Sequence, residues 1–492
     1  MTSIRRALVL ASLERYVVII STFALTIIIS RLLGPEEFGV SVLGNSVWAI
    51  AEAVRDAGIN TYLVQQKSLT PEKIRTAFTI TLLLTAVAVV ALLLVAPHLA
   101  AFYGVAGLEQ YMRVLTLCYA LGPFVTPIFA QLRREMAFGP IALMAVVVSL
   151  LNMATAVGLA MLGFSYMSLA WGSLVSATTG MLLMFIARPD FTIFRPSLRE
   201  WRSVLSYGVY DSAATILYRL WTTLPYLIFG RLLSAEAVGL YQRATTLCSM
   251  PEKVLAGVGF VSLPAFAAAA RDGRDLKSGY LKGLQYVTAV QWPALLLIAL
   301  LAHPIVRVLL GSRWGDSASL VQIMACASLF WFPSAFTGPI LIAAGAVRHT
   351  LTQMAISLPF SLIVITAAAS HGLYTVALST FLTIPFHVVV GLRLIRRHLQ
   401  FRWSELAAAV QGSAVVALLS ALGPLAVVLA AGGSGNVSIL MAAAALALAA
   451  IGWAAGLWLS NHPVLYELLQ ARDALLKSRI GAKLIGRLRA LG

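Results

Sequence analysis

Ten ionisable residues stand inside long apolar runs or at their rims: Glu14, Arg15, Glu52, Arg55, Asp56, Asp211, Arg219, Arg243, Glu252 and Lys253. A charge at mid-bilayer costs about 2.5–3.5 kcal/mol at the least, so each needs a reason to be there. Two chemistries suit them. Arginine presents a planar fork of donors that grips phosphate bidentately. Arg15, Arg219, Arg243 and Lys253 would give a cavity a positive lining at several depths. Tyr210, Tyr218 and Gln242, on the same segments, add the stacking and hydrogen-bonding groups that sugars use. A carboxylate held away from water can load and unload a proton near neutral pH. H+ or Na+ coupling is therefore one role for Glu14, Glu52, Asp211 and Glu252. Charge balance is the other, since Glu52 and Arg55 are three apart on a helix and can pair. Both roles stay open, and aromatic residues in such runs more often serve packing or the lipid interface.

The elements that must carry these groups are apolar helices. Of 492 residues, 60% are hydrophobic and 11% charged, and the mean hydropathy is +0.88. That excludes a soluble globule. The runs are continuous rather than alternating, which excludes a β-barrel. A span takes about 20 apolar residues. Fourteen are predicted: Ala7–Ser30, Gly39–Ala57, Ala77–Ala96, Val114–Leu132, Ile141–Leu162, Tyr166–Ala187, Val204–Phe229, Gly239–Leu263, Leu284–Ala302, Ala318–Ala344, Thr350–Ser370, Leu373–Leu392, Leu406–Ala430 and Val437–Ser460. The first, with Arg5 and Arg6 before it and Glu14 and Arg15 within it, reads as an uncleaved span rather than a signal peptide. Hinges are expected at Pro251, Pro333, Gly338 and Pro339.

Basic residues fall on one side. With the N-terminus inside, about 26 Lys and Arg lie in inner segments and about five in outer ones. The expected orientation therefore puts both termini in the cytoplasm. The net charge of +17 is explained by this bias, with no nucleic-acid partner. After Pro463, leucines at helical spacing alternate with Arg472, Lys477, Arg479, Lys483, Arg487 and Arg489. That pattern predicts a basic amphipathic helix on the anionic inner leaflet. Cys118, Cys248 and Cys326 read as packing residues, with neither a disulfide framework nor metal spacing.

The chain is internally repeated. Residues 31–40, Arg-Leu-Leu-Gly-Pro-Glu-Glu-Phe-Gly-Val, return at 231–240 as Arg-Leu-Leu-Ser-Ala-Glu-Ala-Val-Gly-Leu, with five identities in ten. Glu52 and Glu252 share that offset. Duplicated helical bundles are a common transporter plan. The charged spans, first and second, then seventh and eighth, are repeat partners, which predicts one wet cavity lined by those four helices. The predicted fold is an all-α integral membrane protein. It has a six-helix lobe at 1–200, a pseudo-symmetric six-helix lobe at 201–403, two further helices at 404–460 and a basic tail at 461–492.

The segment Arg31–Gly39 resembles the signature after the first helix of Wzx-type polysaccharide flippases. Asp56–Gln66 resembles their second-helix exit, and Gly230–Leu233 with Val238–Arg243 their second-half repeat. Ser262–Phe266 and Leu310–Trp314 resemble later blocks in the same order. The series runs over roughly Ala7 to Leu399 and looks most like the teichuronic-acid and exopolysaccharide branch. The resemblance implies the multidrug/oligosaccharidyl-lipid/polysaccharide exporter fold in a bacterial inner membrane. It implies alternating-access translocation of an undecaprenyl-diphosphate-linked oligosaccharide, with a polysaccharide polymerase and export machinery as neighbours in the pathway. A basic cavity typical of that family fits Arg15, Arg219 and Arg243. A multidrug exporter or a peptidoglycan-precursor flippase of the same superfamily is the alternative. A membrane glycan polymerase or ligase is a third reading; short outer segments without paired carboxylates or histidines argue against it. There is no P-loop, and no enzymatic activity or organic cofactor is expected.

Overall fold

The computed structural model describes residues 2–477 apart from 57, 60–61, 64–65, 67–68 and 347. The side chains of 2–13, 205–212, 214, 256–261, 471 and 474–477 are outside that description. Every described element is helical. In chain order the helices are α1 (Thr2–Leu32), α2 (Pro35–Asp56), α3 (Pro71–Tyr103), α4 (Ala106–Arg134), α5 (Phe138–Met161), α6 (Met167–Ala187), α7 (Trp201–Leu232), α8 (Ala235–Cys248) and α9 (Met250–Arg271). There follow α10 (Leu276–Leu300), α11 (Ala302–Leu309), α12 (Ser317–Ser328), α13 (Ser334–Ala343), α14 (Arg348–Ala369), α15 (Leu373–Leu399), α16 (Trp403–Ala430), α17 (Ile439–Leu459) and α18 (Pro463–Lys477).

Among the described residues, 11 helical stretches are long and apolar enough to cross a membrane. They coincide with the predicted spans except for 39–57, 204–229 and 239–263. Those three are also helical, on α2, α7 and α8–α9, and they carry most of the ionisable groups. The chain is a multi-pass membrane protein. Large apolar side chains face outward along its helices, such as Val87 at 70% exposure and Leu440 at 84%, which only a lipid solvent tolerates.

Helix limits follow local chemistry. The Thr70 hydroxyl accepts from Lys73 N at 3.3 Å, and Pro71 opens α3. Asp275 caps α10 by accepting from Lys277 N and Ser278 N. The predicted span 239–263 breaks at Ser249, with Pro251 in the first turn of α9. The span 318–344 breaks at a 3-10 turn, Leu329–Trp331, before Pro333. Each break comes just before a proline, which supplies no N–H to continue the ladder, whereas α13 runs unbroken through Gly338 and Pro339, where a hinge was also expected.

The chain forms two compact units. One comprises 1–243, 306–317 and 351–379. In it α3 packs on α4, α5 on α6, α1 on α5 and α2 on α7. Its core holds Tyr62, Ile74, Ile128, Met184 and Ile193. The other comprises 244–305, 318–350 and 380–492, with α16 packed on both α10 and α17. Its core is built on Tyr280, Phe336, Ile395 and Phe401.

Within the first unit the two copies of the repeat meet each other. A Cβ on Gly39 would lie 1.7 Å from the carbonyl oxygen of Ala235. A Cβ on Gly239 would lie 2.1 Å from the carbonyl oxygen of Pro35. The two contacts interchange when 200 is added to one copy and removed from the other, so the first turns of α2 and α8 pack as a local two-fold pair. Small residues let helix backbones approach this closely in lipid, where apolar burial alone gives no drive to associate.

Residues 463–477 are helical, and 478–492, with Arg479, Lys483, Arg487 and Arg489, lie outside the described residues. Val464 and Leu465 pack on Ala289, Val416 and Leu457, and Tyr286 donates to Glu467 at 3.1 Å. The first turns of α18 are therefore docked on protein, while Leu468 and Leu469 stay exposed.

His462 pins that junction. Val464 N donates to its Nδ1 at 3.2 Å, which leaves Nε2 protonated to donate to Ser413 Oγ at 3.1 Å. Ser413 in turn donates to the Gln285 carbonyl at 3.1 Å. Burial holds this imidazole below its usual range. Once freed, the ring protonates below roughly pH 6.5, so acid favours the opened state. The thermal midpoint should fall as pH drops from roughly 7 toward 5.5, and His462→Gln should flatten that part of the profile. Identical pH profiles for the two proteins would refute this account of the junction.

Candidate functional site

In the first unit a 260 Å³ cavity is lined by Glu52, Arg55 and Asp56 of α2 and by Thr215 and Arg219 of α7, with Ala53, Ile59, Thr81 and Thr126. The helix pair α2–α7 places it. Glu52, Arg55 and Asp56 fall on one face of α2 because positions three and four apart are neighbours on a helix surface. Arg219 lies mid-helix in α7.

Arg55 is fixed from three sides. Its Nη2 is 3.4 Å from Glu52 Oε1, its Nη1 donates to the Tyr119 carbonyl at 3.1 Å, and its guanidinium lies 4.6 Å from the centre of the Tyr119 ring. Tyr119 is held by a 3.0 Å hydrogen bond from its hydroxyl to the Ala51 carbonyl. Gly122 supplies the room: a Cβ there would lie 2.1 Å from Arg55 Nη1. Gly122→Ala should push the guanidinium off the Tyr119 ring and lower the thermal midpoint, while Arg55→Lys in a Gly122→Ala background should recover part of it. A Gly122→Ala protein with the wild-type midpoint would contradict this positioning.

Arg219 is exposed and makes no ion pair among the described residues, so its charge is available to a ligand. The hydroxyls of Thr81 and Thr126 are satisfied within their own helices, by Ala77 O at 2.8 Å and Gly122 O at 3.1 Å. Their oxygens can still accept. Two guanidiniums, two carboxylates and three threonines give a polar, charge-balanced chamber. Loss of one carboxylate charge would leave it cationic.

Of the residues singled out in the sequence, the structure brings Glu52 and Arg219 into this chamber. Arg55 and Asp56, from the rim of the same run, join them, and the structure adds three threonines that carry no charge to mark them. Tyr218 is 47% exposed with its ring 6.4 Å from that of Trp221. Glu14 and Arg15 are half-buried on α1 and do not line the chamber. The side chains of Tyr210 and Asp211 lie outside the described residues.

Arg243 has a different setting. It is 4% exposed, with its guanidinium 3.6 Å from the centre of the Phe38 ring and 5.5 Å from that of Trp314. Trp314 is fully buried and donates to Ser30 O at 2.6 Å. Arg243 thus bolts the repeat seam by cation–π contact rather than facing the chamber. Gln242 beside it is half-buried. In the second unit Glu252 is half-buried and Lys253 exposed. A buried His387 stacks on Trp331 there at 5.3 Å, a group that a reading of Asp, Glu, Lys and Arg alone passes over.

A membrane bundle with this helix order is a known fold. It aligns with a solved structure of the lipid II flippase MurJ in an inward closed conformation at TM-score 0.69 and 11% identity, over 95% of this chain and 99% of that one. An inward-facing multidrug resistance MATE family transporter aligns at TM-score 0.62 and 17% identity, over 80% and 98%. Residues 28–319 match the polysaccharide biosynthesis protein family, and the chain belongs to that family. The lipopolysaccharide biosynthesis protein WzxC of Escherichia coli K12 is 24% identical over 326 residues, 65% of this chain and 66% of WzxC. The teichuronic acid biosynthesis protein TuaB of Bacillus subtilis 168 is 21% identical over 298 residues, 60% and 62% of the two chains. The chain spans a little under two thirds of the length of these two relatives.

Proposed function

We propose that this protein carries an undecaprenyl-diphosphate-linked oligosaccharide across the bacterial inner membrane by alternating access, for exopolysaccharide, capsule or lipopolysaccharide synthesis. It acts as a carrier and not as a catalyst. Both termini face the cytoplasm, the side on which basic residues concentrate. The observation that carries the reading is Arg219: a guanidinium in an apolar helix, facing a polar chamber, with no ion-pair partner among the described residues. A second guanidinium, Arg55, lines the same chamber.

The chemistry follows from those groups. A diphosphate is planar-fork compatible at each phosphoryl, so two arginines can hold it bidentately. The threonine hydroxyls suit the first sugar, and the prenyl chain stays in lipid. Glu52 competes with the diphosphate for Arg55, so H+ or Na+ uptake at Glu52 would free the guanidinium and couple binding to an ion gradient. The product is a lipid-linked repeat unit for a polymerase to consume. The names of WzxC and TuaB, both of polysaccharide pathways, support this choice over drug export.

Disrupting the gene should stop surface polymer formation and accumulate the lipid-linked unit on the inner leaflet, with colony viability retained. Lysis with loss of peptidoglycan would favour the peptidoglycan-precursor reading. Unchanged polymer with drug sensitivity would favour the multidrug reading.

A further inference from the structure

A second recess, of 390 Å³, lies in the first unit at the arginine-rich helix ends, where α3 begins and α4 and α6 finish. It shares no residue with the chamber at Arg219. Its floor is apolar, with Ile74 and Ile193 at 7% and 3% exposure. Its rim carries Arg75, Arg134 and Arg188.

The informative group is Gln131. It is only 4% exposed, it lines the recess, and its Nε2 has no hydrogen-bond partner among the described residues. Buried polar groups are nearly always satisfied, and one that is not calls for an explanation. An amide N–H asks for an acceptor and repels a cation, so the missing partner carries oxygen.

The rim is already organised. Arg188 Nη1 lies 2.5 Å from Glu135 Oε1, Arg75 Nε donates to the Thr192 carbonyl at 3.0 Å, and Arg134 Nη1 donates to the Gln66 carbonyl at 2.5 Å. Arg75 is also 3.8 Å from Glu72. A guanidinium has five N–H groups, so Arg75 and Arg188 keep donors beyond these contacts. Asp190 accepts from the backbone and hydroxyl of Thr192 at 3.1 and 2.6 Å, and those bonds hold it below the ordinary carboxylate range. Both rim carboxylates thus have partners, while the Gln131 donor has none among the described residues.

We propose that this recess binds a phosphate oxyanion, with Gln131 Nε2 and the guanidiniums of Arg75 and Arg188 as donors. The group is either the headgroup of an anionic phospholipid, whose acyl chains would meet apolar side chains, or free phosphate. Binding of either to the folded state raises its stability.

The test uses the full chain in nanodiscs of phosphatidylcholine. Thermal midpoints are measured with phosphatidylglycerol added to the disc, or with inorganic phosphate against chloride at equal ionic strength. Gln131→Leu should melt at or above the wild type without ligand, because it removes an unpaired donor. Phosphate or phosphatidylglycerol should raise the wild-type midpoint by a few degrees and leave Gln131→Leu unmoved. A response to phosphatidylglycerol alone identifies a lipid site, and one to phosphate in solution identifies a soluble ligand. Should Gln131→Leu fail to fold, Arg188→Gln serves in its place: it loses the Glu135 ion pair and melts below the wild type without ligand, and neither phosphate nor phosphatidylglycerol should raise its midpoint. No shift in the wild type, or equal shifts in wild type and variant, overturns the proposal. None of these readouts depends on glycan transport.

Discussion

Arg219→Ala should lower polymer export by roughly 10- to 150-fold at wild-type protein abundance, the effect of losing a charge-assisted hydrogen bond of about 1.5–3 kcal/mol. The residue makes no ion pair among the described residues, and Glu52 keeps Arg55 as its partner at 3.4 Å, so the substitution should leave folding intact. Arg219→Lys keeps the charge and loses the fork, and should fall between wild type and alanine. Glu52→Gln should act in the opposite sense on binding, since it removes the anion that competes for Arg55. It should also abolish any dependence on the ion gradient. Export by Arg219→Ala at the wild-type rate, with equal protein in the membrane, would remove the arginine from the mechanism.

The largest stability effect is expected at the repeat seam. Gly39→Leu places a Cβ 1.7 Å from a backbone carbonyl oxygen, and Gly239→Leu places one 2.1 Å from another. Neither obstacle is a side chain that can rotate away, so the first turns of α2 and α8 must separate. Separation would uncover Arg243 from the Phe38 ring as well. Overpacking of this kind costs about 3 kcal/mol or more. Because the two contacts are related by the repeat, the two variants should lose similar amounts. Thermal melting in detergent would show it. Wild-type midpoints in both variants would mean that the seam does not hold the first unit together.

The fold was readable because its signal is continuous: a long apolar run has few structures open to it in lipid. Spans such as Ala77–Ala96 and Leu406–Ala430 reappear within α3 and α16. The runs 239–263 and 318–344 are each split, since a broken helix stays apolar on both sides of Ser249 and Pro333. The repeat at 31–40 and 231–240 was legible as sequence, but that its two copies pack on each other is a tertiary fact.

The site was legible only in part. Glu52 and Arg219 announce themselves by charge. Arg55 and Asp56 stand at the rim of their run, where a charge needs no special partner, and only the packing of Gly122 and Tyr119 shows that Arg55 turns inward. Thr81, Thr126 and Thr215 look like any helix threonine in sequence. Arg243 shares its residue type and near-neighbour pattern with Arg219, yet the aromatic rings of Phe38 and Trp314 cover it. Residue type marks the cost of a buried charge, while the neighbours brought in by folding decide what offsets it.

The most direct measurement is equilibrium binding of a short-chain polyprenyl-diphosphate glycan to the protein in nanodiscs, with the matching polyprenyl glycan lacking phosphate as control. The diphosphate should bind and the control should not, and Arg219→Ala should weaken binding at least tenfold, about 1.4 kcal/mol. Equal affinity for the two ligands, or for wild type and Arg219→Ala, would contradict a diphosphate held by the chamber.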